Sequence, residues 1–276
     1  NHQKSNLTTV TGDTVTFSGI VSTYGIGSSL VVDGTTILLT RDTPILEVSP
    51  YPISALYGSA IALGSSRTES LTLAGTVASV SLVDGTDTEV SLDGSAITLQ
   101  NGAVATGNGA ALTIGSAGVT KTLTGDLTAT DKGVVTATLS GTYTGDAVAS
   151  DAGTLSLRAG AAEGNLTSTG SGSTLTATVS GAAVGDASAA ESGNLTLTTG
   201  SLTGDLTTSD SGTLAATVSH TFTGKTTDDA DTMTLTLSSG ATWNLTDSST
   251  VSTLNAEGGL LASWTARWVR RDRKSV

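Results

Sequence analysis

Two series of acidic residues recur along this chain at a spacing that chemistry can use. Asp126, Asp146, Asp186 and Asp205 follow a glycine at one point of a repeating unit, and Asp131, Asp151, Glu191, Asp210 and Asp229 fall at another. If successive units stack, neighbours in either series stand about 5 Å apart. That is near the separation of the two carboxyls of a retaining glycosidase, and close enough for two carboxylates to share a Ca²⁺. A glycosidase also needs a cleft and one carboxyl of raised pKa, and the turns here are too short to build cleft walls. Like charges stacked so closely repel, so weak cation binding is favoured over catalysis. The plainest expectation is a set of Asx turns on a solvated edge. Asp228, Asp229 and Asp231 are the weak Ca²⁺ candidates. Asp84, Asp87, Glu89 and Asp93 lack EF-hand spacing and read as a charged turn.

Composition removes other chemistries. The 276 residues include no Cys, so disulfides, thiol nucleophiles and Cys-ligated zinc are excluded. Two histidines, His2 and His220, make a poor basis for a metal site or catalytic dyad. The net charge of −12 with 3% aromatics argues against nucleic acid as a partner. No run of 18 apolar residues occurs, so no helix is expected in a membrane, and no signal-peptide pattern opens the chain. Gly224-Lys225-Thr226 echoes a phosphate loop, but Ser219 stands where that loop needs glycine. The N-L-T sequons at Asn6, Asn165, Asn194 and Asn244 read as corner residues rather than glycan acceptors. The sequence implies no cofactor and no catalytic residue.

The elements that position these residues come from a repeat. From Gly125 the units begin at Gly145, Gly164, Gly185, Gly204, Gly224 and Asn244, a period of about 20 residues. Each unit has a short L-T-x-T strand, a D-x-G turn and a longer alternating strand. The inward triplets are Val135/Ala137/Leu139, Leu155/Leu157/Ala159, Leu175/Ala177/Val179, Leu195/Leu197/Thr199, Leu214/Ala216/Val218 and Met233/Leu235/Leu237. The expected fold is all-β: a single-stranded parallel β-helix, or β-solenoid, of about 20 residues per coil, with the right-handed crossover usual for parallel strands. Its length limit is about 14 coils, or roughly 65 Å of rod. Residues 1–124 read as less regular coils of the same solenoid. Pro44, Pro50 and Pro52 mark a loop near 41–60, or a break in the rod. Residues 125–259 form the regular part.

The outward positions between the triplets form a second candidate surface. They are Thr136/Thr138, Ser156/Arg158, Thr176/Thr178, Thr196/Thr198, Ala215/Thr217 and Thr234/Thr236. Threonine is a good exposed strand residue in its own right. A flat array of it also resembles the surface of β-solenoid ice-binding proteins, although Arg158 interrupts the rows. The array equally suits lateral contact with another rod or with surface glycans.

Residues 241–259, ATWNLTDSSTVSTLNAEGG, resemble a stretch of bacterial autotransporter passengers of the pertactin and AIDA type. The matching positions are Trp243, Leu245, Thr246, Ser249, Val251, Leu254, Gly258 and Gly259. AITLQNGAVATGNGAALTI is similar in style. The resemblance implies a secreted passenger, not itself embedded in the membrane, that is displayed on the bacterial cell surface as a non-enzymatic adhesin. Its partners would be a host-cell or neighbouring-cell surface, or further copies of itself. A carbohydrate-active β-helix enzyme and a Thr-array ice-binding protein are the alternatives. Residues 260–276 depart from the passenger pattern. Leu260, Leu261, Trp264 and Trp268 make a helical stripe, so a capping helix or a non-native tail is expected there.

Overall fold

Alternation of Leu, Val and Ala with Thr and Ser makes a strand with one dry face and one wet face. A single such strand cannot bury its dry face alone. Here the chain solves this by laying each turn on the one before. The computed structural model describes residues 6–18, 21–40, 53–56, 59–74, 80–83, 88–258 and 260–262. Among them there is no helix, and the strands pair in parallel as a β-solenoid.

Each coil has three faces rather than the two strands read from the repeat. In one coil Leu127–Thr130 forms the third face, Val134–Thr138 the first and Thr142–Thr144 the second. Their partners in the next coil are Ala147–Ser150, Thr154–Ala159 and Ala161–Glu163. From Leu123 onward the second face escapes a sequence reading because only one residue per coil points inward there: Leu123, Tyr143, Ala162, Ala183, Leu202, Phe222 and Trp243 in successive coils. Three residues with one apolar member look like part of a turn. In three later coils the first and second faces are one bent strand: Thr174–Val184, Asn194–Thr203 and Thr213–Gly224.

The third face is a ladder of ten strands. Its paired residues lie 19–21 positions apart from Leu127 onward, through Ala147, Leu166, Ala187, Leu206 and Thr226. Toward the N-terminus the coils lengthen, with partners Val21, Ile53, Val80, Ala103 and Leu127. The ladders carry straight past the proline-rich stretch, because Val21–Tyr24 pairs with Ile53–Leu56 and Thr36–Leu39 with Ser70–Leu73. The rod is therefore unbroken there; the prolines themselves lie outside the described residues. Ile53–Leu56, expected within the loop, is a third-face strand.

Every one of the expected inward triplets is buried. Tyr143 is buried too, with its hydroxyl donating to the Asp146 carbonyl at 2.7 Å. Burial, together with the charges of Asp126 and Asp146, pushes this phenol far above its ordinary pKa. Near the C-terminal end Phe222 and Trp243 stack in adjacent coils at 5.3 Å, and the indole N–H donates to the Gly224 carbonyl at 3.0 Å. At the last coils the expectation of a helix from Leu260 is corrected. Leu260–Ala262 is a strand paired with Thr242–Asn244, because the second-face ladder still offers it partners. Residues 263–276 lie outside the described residues.

One column shows how tight the stacking is. Gly164 has φ 134°, and a Cβ on it would lie 2.0 Å from the carbonyl oxygen of Gly145 in the coil below. Gly145, Gly185, Gly204 and Gly224 meet the same obstacle. By contrast, a Cβ on Gly118 would meet nothing within 4 Å. Gly164→Ala is expected to cost about 3 kcal/mol or more, since backbone must move. Gly118→Ala is expected to cost about 1 kcal/mol, from its left-handed φ alone. Urea unfolding midpoints compare the two, and equal losses would contradict the steric account.

Candidate functional site

The first acidic column is a hydrogen-bonded ladder. Each residue after the corner glycine uses its side-chain Oδ1 to accept the backbone N–H of the equivalent residue one coil on. Asp126 accepts from Asp146 (2.8 Å), Asp146 from Asn165 (2.7 Å), Asn165 from Asp186 (3.0 Å), Asp186 from Asp205 (2.8 Å) and Asp205 from Lys225 (3.0 Å). Asn165, the sequon residue, thus takes a carboxylate's place in the ladder. Lys225 closes the series, with its ammonium 3.9 Å from Asp205. One oxygen of each side chain is committed to holding coils together. That commitment explains why Asp and Asn interchange here, and it sets the column apart from a pair of catalytic carboxyls.

The second acidic column sits in tight turns between the third and first faces. Asp131-Lys132, Asp151-Ala152, Glu191-Ser192 and Asp210-Ser211 all have positive φ at both positions. The closing bonds run from Gly133 to Thr130, Gly153 to Ser150, Gly193 to Ala190 and Gly212 to Ser209, at 2.7–2.8 Å. These are the geometry of type I′ turns. The acids also reach back one coil: Thr106 donates to Asp131 at 3.2 Å, Thr130 to Asp151 at 3.5 Å and Thr169 to Glu191 at 3.4 Å.

The three Ca²⁺ candidates do not converge. Asp229 and Asp231 are exposed, whereas Asp228 is buried at the inward position of the last third-face strand. The residues beneath it in that column are Thr208, Ala189 and Ser168. The Asp228 carboxylate accepts from the Thr208 hydroxyl (2.6 Å), the amides of Thr232 (3.0 Å), Met233 (3.3 Å) and Ser252 (2.7 Å), and the Ser252 hydroxyl. It joins three coils. Among the described residues no group of three acidic or His side chains is placed to hold a metal.

Two further acids brace inserted corners. Asp33 pairs with Arg67 at 2.9 Å and accepts from the Ser65 hydroxyl at 2.6 Å. Arg67 also donates to the carbonyls of Asp33 and Gly12, so its loop lies across the two preceding coils. The hydrogen bonds from Arg67 and Ser65 hold the Asp33 carboxyl below its ordinary pKa. Asp93, expected in a charged turn, is buried. It accepts from the Ser116 hydroxyl (2.6 Å) and the Ala117 amide (2.8 Å) of the next corner. Of its companions, Glu89 pairs on the first face, and Asp84 and Asp87 lie outside the described residues.

The threonine rows run along the first face. Thr136, Ser156, Thr176, Thr196, Ala215 and Thr234 pair rung by rung, as do Thr138, Arg158, Thr178, Thr198, Thr217 and Thr236. All are half-buried or exposed. Between residues 134 and 256 the strands of the first and second faces carry one charged residue each, Arg158 and Glu163. The two acidic columns instead flank the third face.

Comparison with known proteins adds nothing to this geometry. No family model, no curated protein and no solved structure matches the chain. Within residues 241–258, Trp243 and Ser249 are buried, the Ser249 hydroxyl accepts the Thr226 amide at 3.1 Å, and Val251 and Leu254 pack on the core. Those positions close the last coils.

Sequence reasoning missed the roles of Asp33, Arg67, Asp93 and Asp228. For Asp228 a signal existed: it stands at an inward register position filled by Ala, Ser and Thr in every coil from Ala105 to Thr208. The other three are in corners of irregular length, where no register can be counted.

Two measurements test these assignments. Asp186→Ala is expected to cost about 1 kcal/mol through the lost bond to Asp205. Asp186→Asn keeps the acceptor and removes a like charge, so it is expected to hold or raise the melting temperature, most clearly at low salt. Asn behaving like Ala would remove the ladder's significance. For Asp228, burial works to raise the pKa, but the bonds from Ser252, Thr208, Thr232 and Met233 outweigh it and the net shift is downward. A carboxyl whose folded pKa is lowered contributes stability in full above its unfolded value of about 4 and loses it as pH falls through the folded value. Asp228→Asn is therefore expected to lose about 2 kcal/mol at neutral pH and to show a flatter acid limb in melting temperature between about pH 4 and pH 2. An acid limb identical to that of the unaltered chain would contradict the assignment.

Proposed function

We propose that this chain is the rod of a non-enzymatic adhesin, a secreted bacterial passenger displayed at the cell surface. In this reading the first-face hydroxyl rows make many weak contacts with a host or neighbouring cell, or with another copy. The observation that carries it is the placement of charge. From Asp126 to Asp210 every carboxylate of this acidic body except Glu163 lies at two edges beside the third face, and the first face there presents long, nearly uncharged hydroxyl rows. Such rows can approach a negatively charged cell surface where a uniformly acidic rod would be repelled. Contacts repeated about every 4.8 Å add by multivalency, so no single residue need bind strongly. The resemblance of residues 241–259 to autotransporter passengers supports the cell-surface setting. The commitment of the corner carboxylates to coil-to-coil bonds argues against their use in glycoside hydrolysis.

The test uses beads coated with the purified chain, offered to epithelial cells, to bacteria and to one another. Attachment to at least one of these is expected. The variant with Thr176, Thr178, Thr196 and Thr198 all changed to Asp should keep its circular dichroism and lose attachment by about tenfold or more. Sugar release from a polysaccharide panel, or thermal hysteresis in freezing, together with no attachment, would replace this reading with one of its rivals.

A further inference from the structure

The chain has two Asn-Gly pairs, Asn101-Gly102 and Asn108-Gly109, and the fold treats them differently. An asparagine followed by glycine is the arrangement in which the next backbone nitrogen most easily reaches the side-chain amide, because glycine carries no Cβ to obstruct it. The other described asparagines are followed by Leu or Ala, whose side chains hinder that approach.

At the first pair the fold blocks the reaction. The Gly102 amide donates to the Leu99 carbonyl at 3.1 Å, and Gly102 is buried beneath Asp126 of the next coil, where an added Cβ would lie 2.7 Å from the Asp126 carbonyl. A nitrogen held in this way can neither turn toward Asn101 nor make room for a ring. The second pair forms the corner between the third and first faces, with Ala110 closing the turn onto Gly107 at 3.1 Å. Asn108 and Gly109 are both exposed, Gly109 has φ 83°, and its amide makes no hydrogen bond among the described residues.

We infer that Asn108 is a site of spontaneous covalent modification, deamidation through a succinimide, and that the fold protects Asn101 from the same reaction. The Gly109 nitrogen attacks Cγ of Asn108, a new N–C bond forms, the Cγ–Nδ2 bond breaks and ammonia leaves. Water then opens the ring at either carbonyl, leaving aspartate or isoaspartate. One water is consumed and one ammonia released, with no change of oxidation state. The product places a negative charge in the corner between the third and first faces, one position past the register of Asp131, because Thr106 pairs with Thr130 and Gly107 therefore stands level with Asp131. The isoaspartate form also adds a methylene to the backbone of that turn.

The experiment incubates the folded full chain in warm, mildly alkaline buffer and follows both sites by peptide mass spectrometry, with electron-based fragmentation to separate aspartate from isoaspartate. A parallel sample is held in concentrated urea. In the folded chain Asn108 is expected to convert at least about tenfold faster than Asn101, and in urea the two rates should converge. Asn108→Gln should abolish conversion at 108 and leave Asn101 unchanged. Equal rates in the folded chain, faster loss at Asn101, or an Asn108 that converts in urea but not when folded would each overturn the inference.

Discussion

The strands of each coil form backbone ladders with the coil before it and the coil after it, in register. That constraint sets everything else, because it turns sequence positions into columns about 4.8 Å apart. A column is unforgiving where backbones press together. At the corner before the third face only glycine fits, since the carbonyl of one coil occupies the space a Cβ of the next would need. One residue on, the same geometry presents an unpaired N–H to the side chain below. Any residue there with an acceptor on a one-carbon stem bridges the gap, and both Asp and Asn do so.

The interior follows a looser rule. First-face triplets supply most of the apolar column, while the single inward residue of the second face ranges from Ala162 and Ala183 to Tyr143, Phe222 and Trp243. Small members adjoin at Ala162 and Ala183 and large ones at Phe222 and Trp243, so the column has no fixed residue size from level to level. Most inward polar side chains are matched within their own coil or by a neighbouring one, although among the described residues the buried Thr120 hydroxyl has no partner. Ser168 bonds Ser173, Thr199 reaches the Gly181 carbonyl, and Asp228 gathers donors from three coils. A buried carboxylate with that many donors resists protonation and ties the terminal coils to the body of the rod.

The same columns shape what the surface can do. Where outward positions repeat, between Asp126 and Asp210, charge is sorted by face: acids line two edges beside the third face, and hydroxyls cover most of the first. Function on such a rod is a property of rows. A lone departure such as Arg158 perturbs a row without making a site.

Period, strand alternation and glycine corners were legible in the sequence from Gly125 onward, because in-register stacking writes the fold as self-similarity. The inward triplets could be named one by one for the same reason. What only the tertiary structure decided lies where register cannot be counted. The second face was invisible because one inward residue per coil carries no alternation. Asp33, Arg67 and Asp93 act across corners of unequal length, so their partners are set by how inserted loops fold back onto earlier coils. Leu260 and Leu261 spell a helical stripe in isolation, yet the open ladder beside Thr242–Leu245 offers backbone partners, and the chain takes the strand. Local pattern determines an element when its hydrogen bonds are local; here nearly all of them run to another coil.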